Sequence, residues 1–422
     1  MKKALLVLLK TKNDYYDIEY RIKEMENLCQ SIGVLITSSI YQALDKPDTK
    51  YYTGSGKIEE IKAKALSLEV DALVFDDELT PVQLKHISSL IDIDIMDRTS
   101  VILDIFQQRA KSREAIFELS IARARYDMPR IGLMQRNLSR EGASGGGLHS
   151  KGSGETNQEL TRRQIAGRIS RYSKELIEIK NRKAQSAEKR ASNDIPIVAL
   201  VGYTNAGKST TMNKLIEATG GDNEKMVYAK DELFATLDTR IRQINYKKHK
   251  FLLTDTIGFV SKLPSLLVES FRSTLEEIRN ADLIINVIDF SSPYFNEQYK
   301  ITMAMLDAVG ALDKKMLLLL NKYDLLDNQN LIVEGVESLP YSNKTNLNVD
   351  KLLDYIYQET SPYMIELKLN IPYKDQRICH LIEEKATIYE KLYLEECTHY
   401  HISIDKKYYK DLALYEEDGF IN

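Results

Sequence analysis

Ile195-Pro-Ile-Val-Ala-Leu-Val201 runs without a break into Gly202-Tyr-Thr-Asn-Ala-Gly-Lys-Ser209, and the reading of this chain turns on that stretch. The first seven residues form an apolar run of the kind found in a parallel strand buried on both faces. The next eight fit G-x-x-x-x-G-K-[ST], and an amphipathic segment continues through Leu215. From Gly202 through Tyr203, Thr204, Asn205, Ala206 and Gly207, backbone N–H groups can wrap phosphates. Lys208 then reaches the β- and γ-phosphates, Ser209 ligates Mg²⁺, and Thr210 lies in the first turn of a helix whose N-terminus carries partial positive charge. A chance glycine turn is the bland alternative, and a strand before with a helix after argues against it.

Two more motifs follow at the right places. Phe251-Leu-Leu-Thr-Asp255-Thr-Ile-Gly258 is a second buried strand ending in D-x-x-G. Asp255 is expected to hold the Mg²⁺ shell, and the Gly258 N–H to meet the γ-phosphate. Leu317–Leu320 is a third, ending in Asn321-Lys322-Tyr323-Asp324. Asp324 can accept from the N1–H and 2-amino group of guanine while Lys322 covers the ring. Adenine offers no such donor pair, so the expected ligand is GTP or GDP. Ser342-Asn343-Lys344 falls where a loop would contact the guanine oxygen, with Asn343 at a position where Ala is usual. Leu233-Phe-Ala-Thr-Leu-Asp238-Thr239 offers two candidates for the switch I threonine, of which Thr236 is favoured as Mg²⁺ ligand and catalytic residue beside Lys208 and Gly258.

Two residues sharpen the chemistry. Phe259 stands where many such enzymes carry a water-orienting Gln. A phenyl ring cannot orient water, so intrinsic turnover should be slow and help should come in trans, which can be worth about 10³–10⁵ in rate. Asn205 lies where some GTPases use Asn to help bind K⁺ beside the phosphates; a turn-stabilising Asn is the alternative.

Working outward, the first hundred residues alternate apolar runs with amphipathic stretches. Ala4–Leu9, Val34–Thr37, Ala72–Phe75 and Ile93–Met96 predict strands, and Tyr16–Cys29, Ile58–Leu68 and Pro81–Leu90 predict helices, hence a small α/β domain with a parallel sheet. Ala115, Leu119, Ala122 and Tyr126, and later Ile165, Ile169, Tyr172, Leu176 and Ile179, recur at helical spacing. Both read as seams pairing two helices side by side. A glycine cluster between them predicts an antiparallel hairpin with a long flexible tip. The last 60 residues, with a helix near Gln376–Tyr389 and a strand around Thr398–Ile404, suggest a small α/β appendage. The expected units are residues 1–110, 111–192, 193–362 and 363–422.

Composition is that of an ordinary globular protein of 422 residues. Cys29, Cys379 and Cys397 are too few and scattered for a disulfide framework, which favours a reducing compartment. The apolar start is broken by Lys10 and Lys12 and lacks a cleavage site. No run is long enough to span a bilayer, so a cytoplasmic location and, by default, a monomer are expected. Arg98 to Arg190 holds 20 Lys/Arg against 10 Asp/Glu, leaving −14 on the rest of a chain whose total is −4. That asymmetry favours a polyanion partner, with a solvated helical face as the alternative.

With the motifs placed, the chain resembles HflX-type GTPases of the Obg-HflX superfamily along nearly its whole length. The likeness rests on Tyr52-Thr-Gly-Ser-Gly-Lys57, Asp97-Arg98-Thr99, Ile102-Leu-Asp-Ile-Phe106, Gly145-Gly146-Gly147, Lys151-Gly-Ser-Gly-Glu-Thr156, Leu233-Phe-Ala-Thr-Leu-Asp238, Asp255-Thr-Ile-Gly-Phe259 and Ser273-Thr-Leu-Glu-Glu277. The resemblance implies a Ras-like P-loop GTPase domain preceded by a small α/β domain with a long helical hairpin, often with a small C-terminal domain. It implies binding to the large ribosomal subunit, with the hairpin tip on RNA near the peptidyl transferase centre. It further implies ribosome-stimulated hydrolysis, splitting of stalled or idle ribosomes, and in some relatives relief of antibiotic or heat stress. Arg130, Arg136, Arg140, Gly145, Gly146, Gly147, Lys151, Arg162 and Arg163 are the expected RNA contacts, because cations neutralise phosphates and glycines permit close approach. Lys151 and Ser153 depart from the Arg and Pro the family prefers, and switch I is shorter after Asp238 than its D-P-T-T-R form.

Other readings compete. An assembly or stress factor could dock on RNA without splitting anything. The resemblance also raises ATP use, for which Gly54-Ser-Gly-Lys57 is the only local support; a lone G-x-G-K before a helix is a weak signal, and a turn or helix cap is the preferred reading. Cys397, His399 and His401 would share one strand face, yet no fourth metal ligand is evident.

Overall fold

The computed structural model describes residues 1–12, 14–131, 153–191, 195–220, 240–247, 249–264, 266–267, 272–326, 336–361 and 364–416. Strands β1 (Lys2–Lys10), β2 (Val34–Ala43), β3 (Ala72–Phe75) and β4 (Asp94–Asp97) form a parallel sheet in the order β2-β1-β3-β4. Both faces of β1 are covered. Ala4, Leu6 and Leu8 pack with Met25 and Leu28 of α1 (Ile18–Ser31) and Val101 and Ile105 of α4 (Arg98–Arg109). Leu5, Val7 and Leu9 pack with Ile58 and Ile61 of α2 (Ser55–Ser67) and Ile87 of α3 (Pro81–Leu90). That two-sided burial is why the run is continuously apolar. β2 runs six residues past the expected Thr37, and α4 was not anticipated. Its start is set by a capping box in which the Asp97 carboxylate accepts from Ser100 N while Asp97 N donates to Ser100 Oγ.

The helical segment differs from expectation in one respect. α5 (Arg113–Asp127) and α6 (Ser153–Ala191) do pack together, with Phe117 stacked on Tyr172 at 5.1 Å. However, Ala115, Leu119, Ala122 and Tyr126 are not the seam between them. They are buried in the core of the N-terminal domain, beside Val101 and Phe106 of α4. The periodicity marks a buried face without saying what buries it.

The next sheet has the order β10-β9-β8-β5-β7-β6. Its strands are β5 (Ile197–Val201), β6 (Arg240–Tyr246), β7 (His249–Asp255), β8 (Leu283–Asp289), β9 (Lys315–Asn321) and β10 (Ser338–Pro340), all parallel except β6 against β7. Val198 and Leu200 face Met212 and Leu215 of α7 (Lys208–Ala218) and Leu352 and Ile356 of α10 (Val349–Thr360). Ala199 and Val201 face Leu275 and Ile278 of α8 (Arg272–Arg279) and Leu306 of α9 (Phe295–Ala308). β5 lies in the middle, so the loop leaving it opens at the sheet's carboxyl edge, where open α/β sheets bind ligands.

The C-terminal part is an antiparallel sheet, β11 (Met364–Pro372), β13 (Cys397–Asp405) and β12 (Thr387–Tyr393), backed by α11 (Gln376–Lys385). The expected helix to Tyr389 therefore overshoots, and its last three residues begin β12. Among the described residues no helix is long and apolar enough to cross a membrane.

Candidate nucleotide site and its link to the N-terminal domain

The loop after β5 can take its path only with glycine at both ends. Gly202 has φ +140°, and a Cβ there would lie 2.1 Å from Val287 O. Gly207 has φ +100°, and a Cβ would lie 2.2 Å from Asn321 Nδ2. Between them Asn205 is exposed in the left-handed region at φ +60°, a conformation Asn tolerates better than most residues. Ala206 is buried and its carbonyl accepts from Asn321 Nδ2 at 2.7 Å. The Thr204 hydroxyl is buried with no hydrogen-bond partner among the described residues.

Lys208 opens α7 and folds back over the loop, donating to Gly202 O at 3.0 Å and Tyr203 O at 2.8 Å. Burial pulls its pKa down to about 8, partly offset by Asp255. Ser209 Oγ donates to Asp255 Oδ2 at 2.6 Å. Thr210, next in the helix, is half-buried. A serine hydroxyl beside a carboxylate at the mouth of this loop is a hard-oxygen set of the type Mg²⁺ prefers.

Switch II leaves β7 directly against the phosphate loop. Tyr203 and Phe259 form a parallel bridge, with Thr204 N donating to Phe259 O at 2.7 Å and Phe259 N to Gly202 O at 3.1 Å. Gly258 is pressed so closely that a Cβ would meet Thr204 Cγ2 at 2.9 Å and Lys208 Nζ at 3.1 Å.

At the other end, Ser342 Oγ donates to Asp324 Oδ1 at 2.6 Å and accepts from Lys344 N at 3.2 Å. Those bonds aim the Asp324 carboxylate. Lys322, at φ +61°, pairs with Asp289 at 2.7 Å. The backbone N–H of Asn343 donates to Asn321 Oδ1 at 3.3 Å, as an alanine's would, but its side chain does more than an alanine could: Nδ2 donates to Gly207 O at 3.3 Å and Thr211 Oγ1 at 3.2 Å. It ties the base end of the site to the phosphate end. Thus the three motifs, far apart in sequence, converge on one edge of the sheet.

Sequence reasoning missed a buried network joining this site to the N-terminal sheet. Glu24 of α1 accepts from Tyr203 Oη, from Ser261 Oγ at 2.8 Å and from Arg98. Arg98 pairs with Asp76 at 2.7 Å, and Arg21 binds Asp76 from the other side through Nε at 2.8 Å. Lys262 closes the group on Asp77. Desolvation opposes the charged form of Glu24, but Arg98 and the hydroxyl donors outweigh it and hold its pKa below the usual value. Tyr203, Ile257 and Val260 belong to the same apolar cluster as Leu6 and Met25. The carboxyl edge of the N-terminal sheet is therefore filled by its own charges and by switch II. The Gly54-Ser-Gly-Lys57 segment is a helix start at the β2 end of that edge, with Gly54 N held by Gln42 Oε1 at 2.9 Å.

Of the expected RNA contacts, Arg130 needs correction. It is 4% exposed, donates to Tyr126 O at 2.7 Å and Leu79 O at 2.6 Å, and lies over the Tyr126 ring. It is a strut of the N-terminal domain and is not presented to a partner. Arg162 and Arg163 are exposed on α6. Arg136, Arg140, Gly145, Gly146, Gly147, Lys151 and Thr236 lie outside the described residues. On β13, His399 and His401 engage Asn370 at 2.9 Å and Glu366 at 2.5 Å. Among the described residues no group of three ligand side chains could hold a metal.

A central parallel sheet, a phosphate loop and a guanine-reading loop in this arrangement define a P-loop GTPase. Residues 197–322 match the sequence family described as 50S ribosome-binding GTPase, and residues 19–107 and 109–190 match the GTP-binding GTPase N-terminal and middle regions. The GTPase HflX of Lacrimispora saccharolytica is 34% identical over 98% of this chain and 96% of its own length. That of Caldanaerobacter subterraneus subsp. tengcongensis is 36% identical over 88% and 85%. The chain belongs to the HflX family of GTPases. Among solved structures, a GTP-binding protein from Sulfolobus solfataricus in complex with GDP is 24% identical, with TM-score 0.44, over 85% of this chain and 99% of that one.

Proposed function

We propose that this GTPase binds the large ribosomal subunit and uses GTP binding and hydrolysis to split stalled or idle ribosomes, acting in the cytoplasm as a monomer. The observation that carries the reading is α6. It is 39 residues long, about 58 Å at 1.5 Å per residue, and it exposes Arg162, Arg163, Arg168 and Arg171. A long basic rod is suited to phosphate backbones, since each Arg or Lys releases counterions from RNA. Residues 111–192 would then be the RNA-reaching hairpin, with its tip near the peptidyl transferase centre, between residues 1–110 and the GTPase unit 193–362. Residues 363–422 are an appendage.

In the reaction, Lys208 and Gly258 would meet the γ-phosphate, and Asp324, Asn321 and the Ser342–Lys344 loop would orient the base. Ser209, Asp255 and Thr236 would hold Mg²⁺, which neutralises charge on the β- and γ-oxygens. The test is GTP turnover by the purified chain, alone and with isolated large subunits, with Lys208→Ala as control, followed by subunit separation on gradients. Stimulation with separation supports the proposal. Stimulation without separation favours a factor that docks on RNA without splitting, and no stimulation ends the ribosomal mechanism.

A further inference from the structure

Among the α1 side chains that meet the nucleotide site, Glu24 is the charged one at the centre of its hydrogen bonds. Glu24 is 7% exposed, and its three donors come from three places: the phosphate loop (Tyr203), the segment after D-x-x-G (Ser261) and α4 (Arg98). Tyr203 Oη also accepts from Ser261 N at 2.7 Å, and Arg98 donates to Ser261 Oγ at 2.8 Å. Ser261 is thus held at both its backbone and its hydroxyl, three residues beyond Gly258. The two groups a γ-phosphate needs, the Gly258 backbone and the Lys208 side chain, lie side by side: a Cβ on Gly258 would stand 3.1 Å from Lys208 Nζ.

We infer that Glu24 is a positioning residue for GTP hydrolysis: by clamping Ser261 to Tyr203 it keeps Gly258 beside Lys208, so the N-terminal domain preorganises the γ-phosphate contacts. Holding groups in their bound geometry in advance lowers the cost of forming the complex. The effect is confined to the triphosphate. In the phosphate loop Glu24 meets only the Tyr203 hydroxyl, at the loop's start; it touches neither the Asn205–Ser209 arc nor the loops at Asn321–Asp324 and Ser342–Lys344. The inference rests on the GTPase assignment and is independent of the ribosomal reading.

Glu24→Gln keeps shape and one acceptor oxygen but loses the charge that makes these hydrogen bonds strong. Arg98 remains paired with Asp76, so no buried charge is orphaned. In the full-length chain, affinities for GDP and for a non-hydrolysable GTP analogue are measured by competition with a fluorescent nucleotide. The triphosphate should weaken roughly fivefold or more while GDP stays within about twofold, a selective coupling between two parts of the protein. Unchanged GDP affinity also shows that the variant folds. Ser261→Ala should move the same way, and the double variant should lose little beyond either single one, because both act through one contact. Equal loss for both nucleotides, no change, or tighter triphosphate binding would overturn the assignment.

Discussion

The Phe259 carbonyl accepts a hydrogen bond from the Thr204 N–H at 2.7 Å. The residue at the usual water-orienting position is therefore fastened by its backbone to the phosphate loop. Its ring is 2% exposed and turned into the core beside Val201, Leu275 and Ile278. Slow intrinsic turnover is the outcome expected from this geometry as well as from the chemistry of phenylalanine.

Replacing Phe259 should not restore a missing catalytic group. Phe259→Gln would place an amide in an apolar pocket, where a polar group without a partner costs about 1–3 kcal/mol in mutational data. The expected outcome is a lower thermal midpoint and no increase in GTP turnover without a partner. A faster basal rate would show that the side chain can swing out and orient water.

Gly258→Ala tests the close approach of switch II. The new methyl would collide with Thr204 Cγ2 and crowd Lys208 Nζ, at 2.9 and 3.1 Å in the present geometry. Switch II must retreat and its N–H must leave the γ-phosphate. Turnover should fall about 10²-fold, as for loss of one charge-stabilising donor. GDP affinity should be nearly unchanged, which equilibrium binding of a labelled diphosphate would check.

Lys208 makes nucleotide binding pH-dependent. Burial lowers its pKa to about 8, so without nucleotide it is largely neutral above that pH. Phosphate charge favours the ammonium and raises the pKa, so binding takes up protons and affinity falls as pH rises through 8. At pH 8 the uptake should be roughly half a proton, read from calorimetry in buffers of different ionisation enthalpy. For folding the sign is the reverse. Between about 8 and the ordinary lysine value of 10.5 the unfolded chain holds more protons at this site, so the nucleotide-free fold gains stability as pH rises. A flat affinity from pH 7 to 9 would refute the depressed value.

Much of the nucleotide site was legible in advance because its geometry is local. A buried strand, a glycine turn and a helix start occupy fifteen consecutive residues, and D-x-x-G and N-K-x-D each end a strand that hydrophobicity marks. What escaped is long-range. Nothing near Glu24 in the sequence indicates that it will meet Tyr203, 179 positions away. The Ala115–Tyr126 stripe correctly marked a buried face, but period alone could not distinguish a partner helix from the N-terminal core. Arg130 counted as one more cation in a basic segment until the carbonyls of Leu79 and Tyr126 claimed it.

The exposed, left-handed Asn205 already has a conformational reason to be asparagine. If its side chain also helps hold K⁺ beside the phosphates, the cation would supply charge of the kind an arginine finger provides in trans. GTP turnover should then be higher in K⁺ than in Na⁺ at equal ionic strength, and Asn205→Asp should alter the ratio. Equal rates in the two salts would leave the turn as the whole explanation.

The arginines of the hairpin region separate by burial, and that separation can be measured. Arg162 and Arg163 are exposed on α6, with Glu159 3.8 Å from Arg163. If they contact RNA phosphates, replacing each by Ala should weaken binding to large subunits and reduce the slope of log affinity against log salt by about 1 per residue. Arg130→Ala provides the contrast. It would leave the buried Leu79 and Tyr126 carbonyls without their donor, at a cost of about 1–3 kcal/mol, so the thermal midpoint should drop while the salt slope stays put. A reduced slope for Arg130→Ala, or an unchanged one for the α6 pair, would reverse the assignment of these residues to core and to RNA.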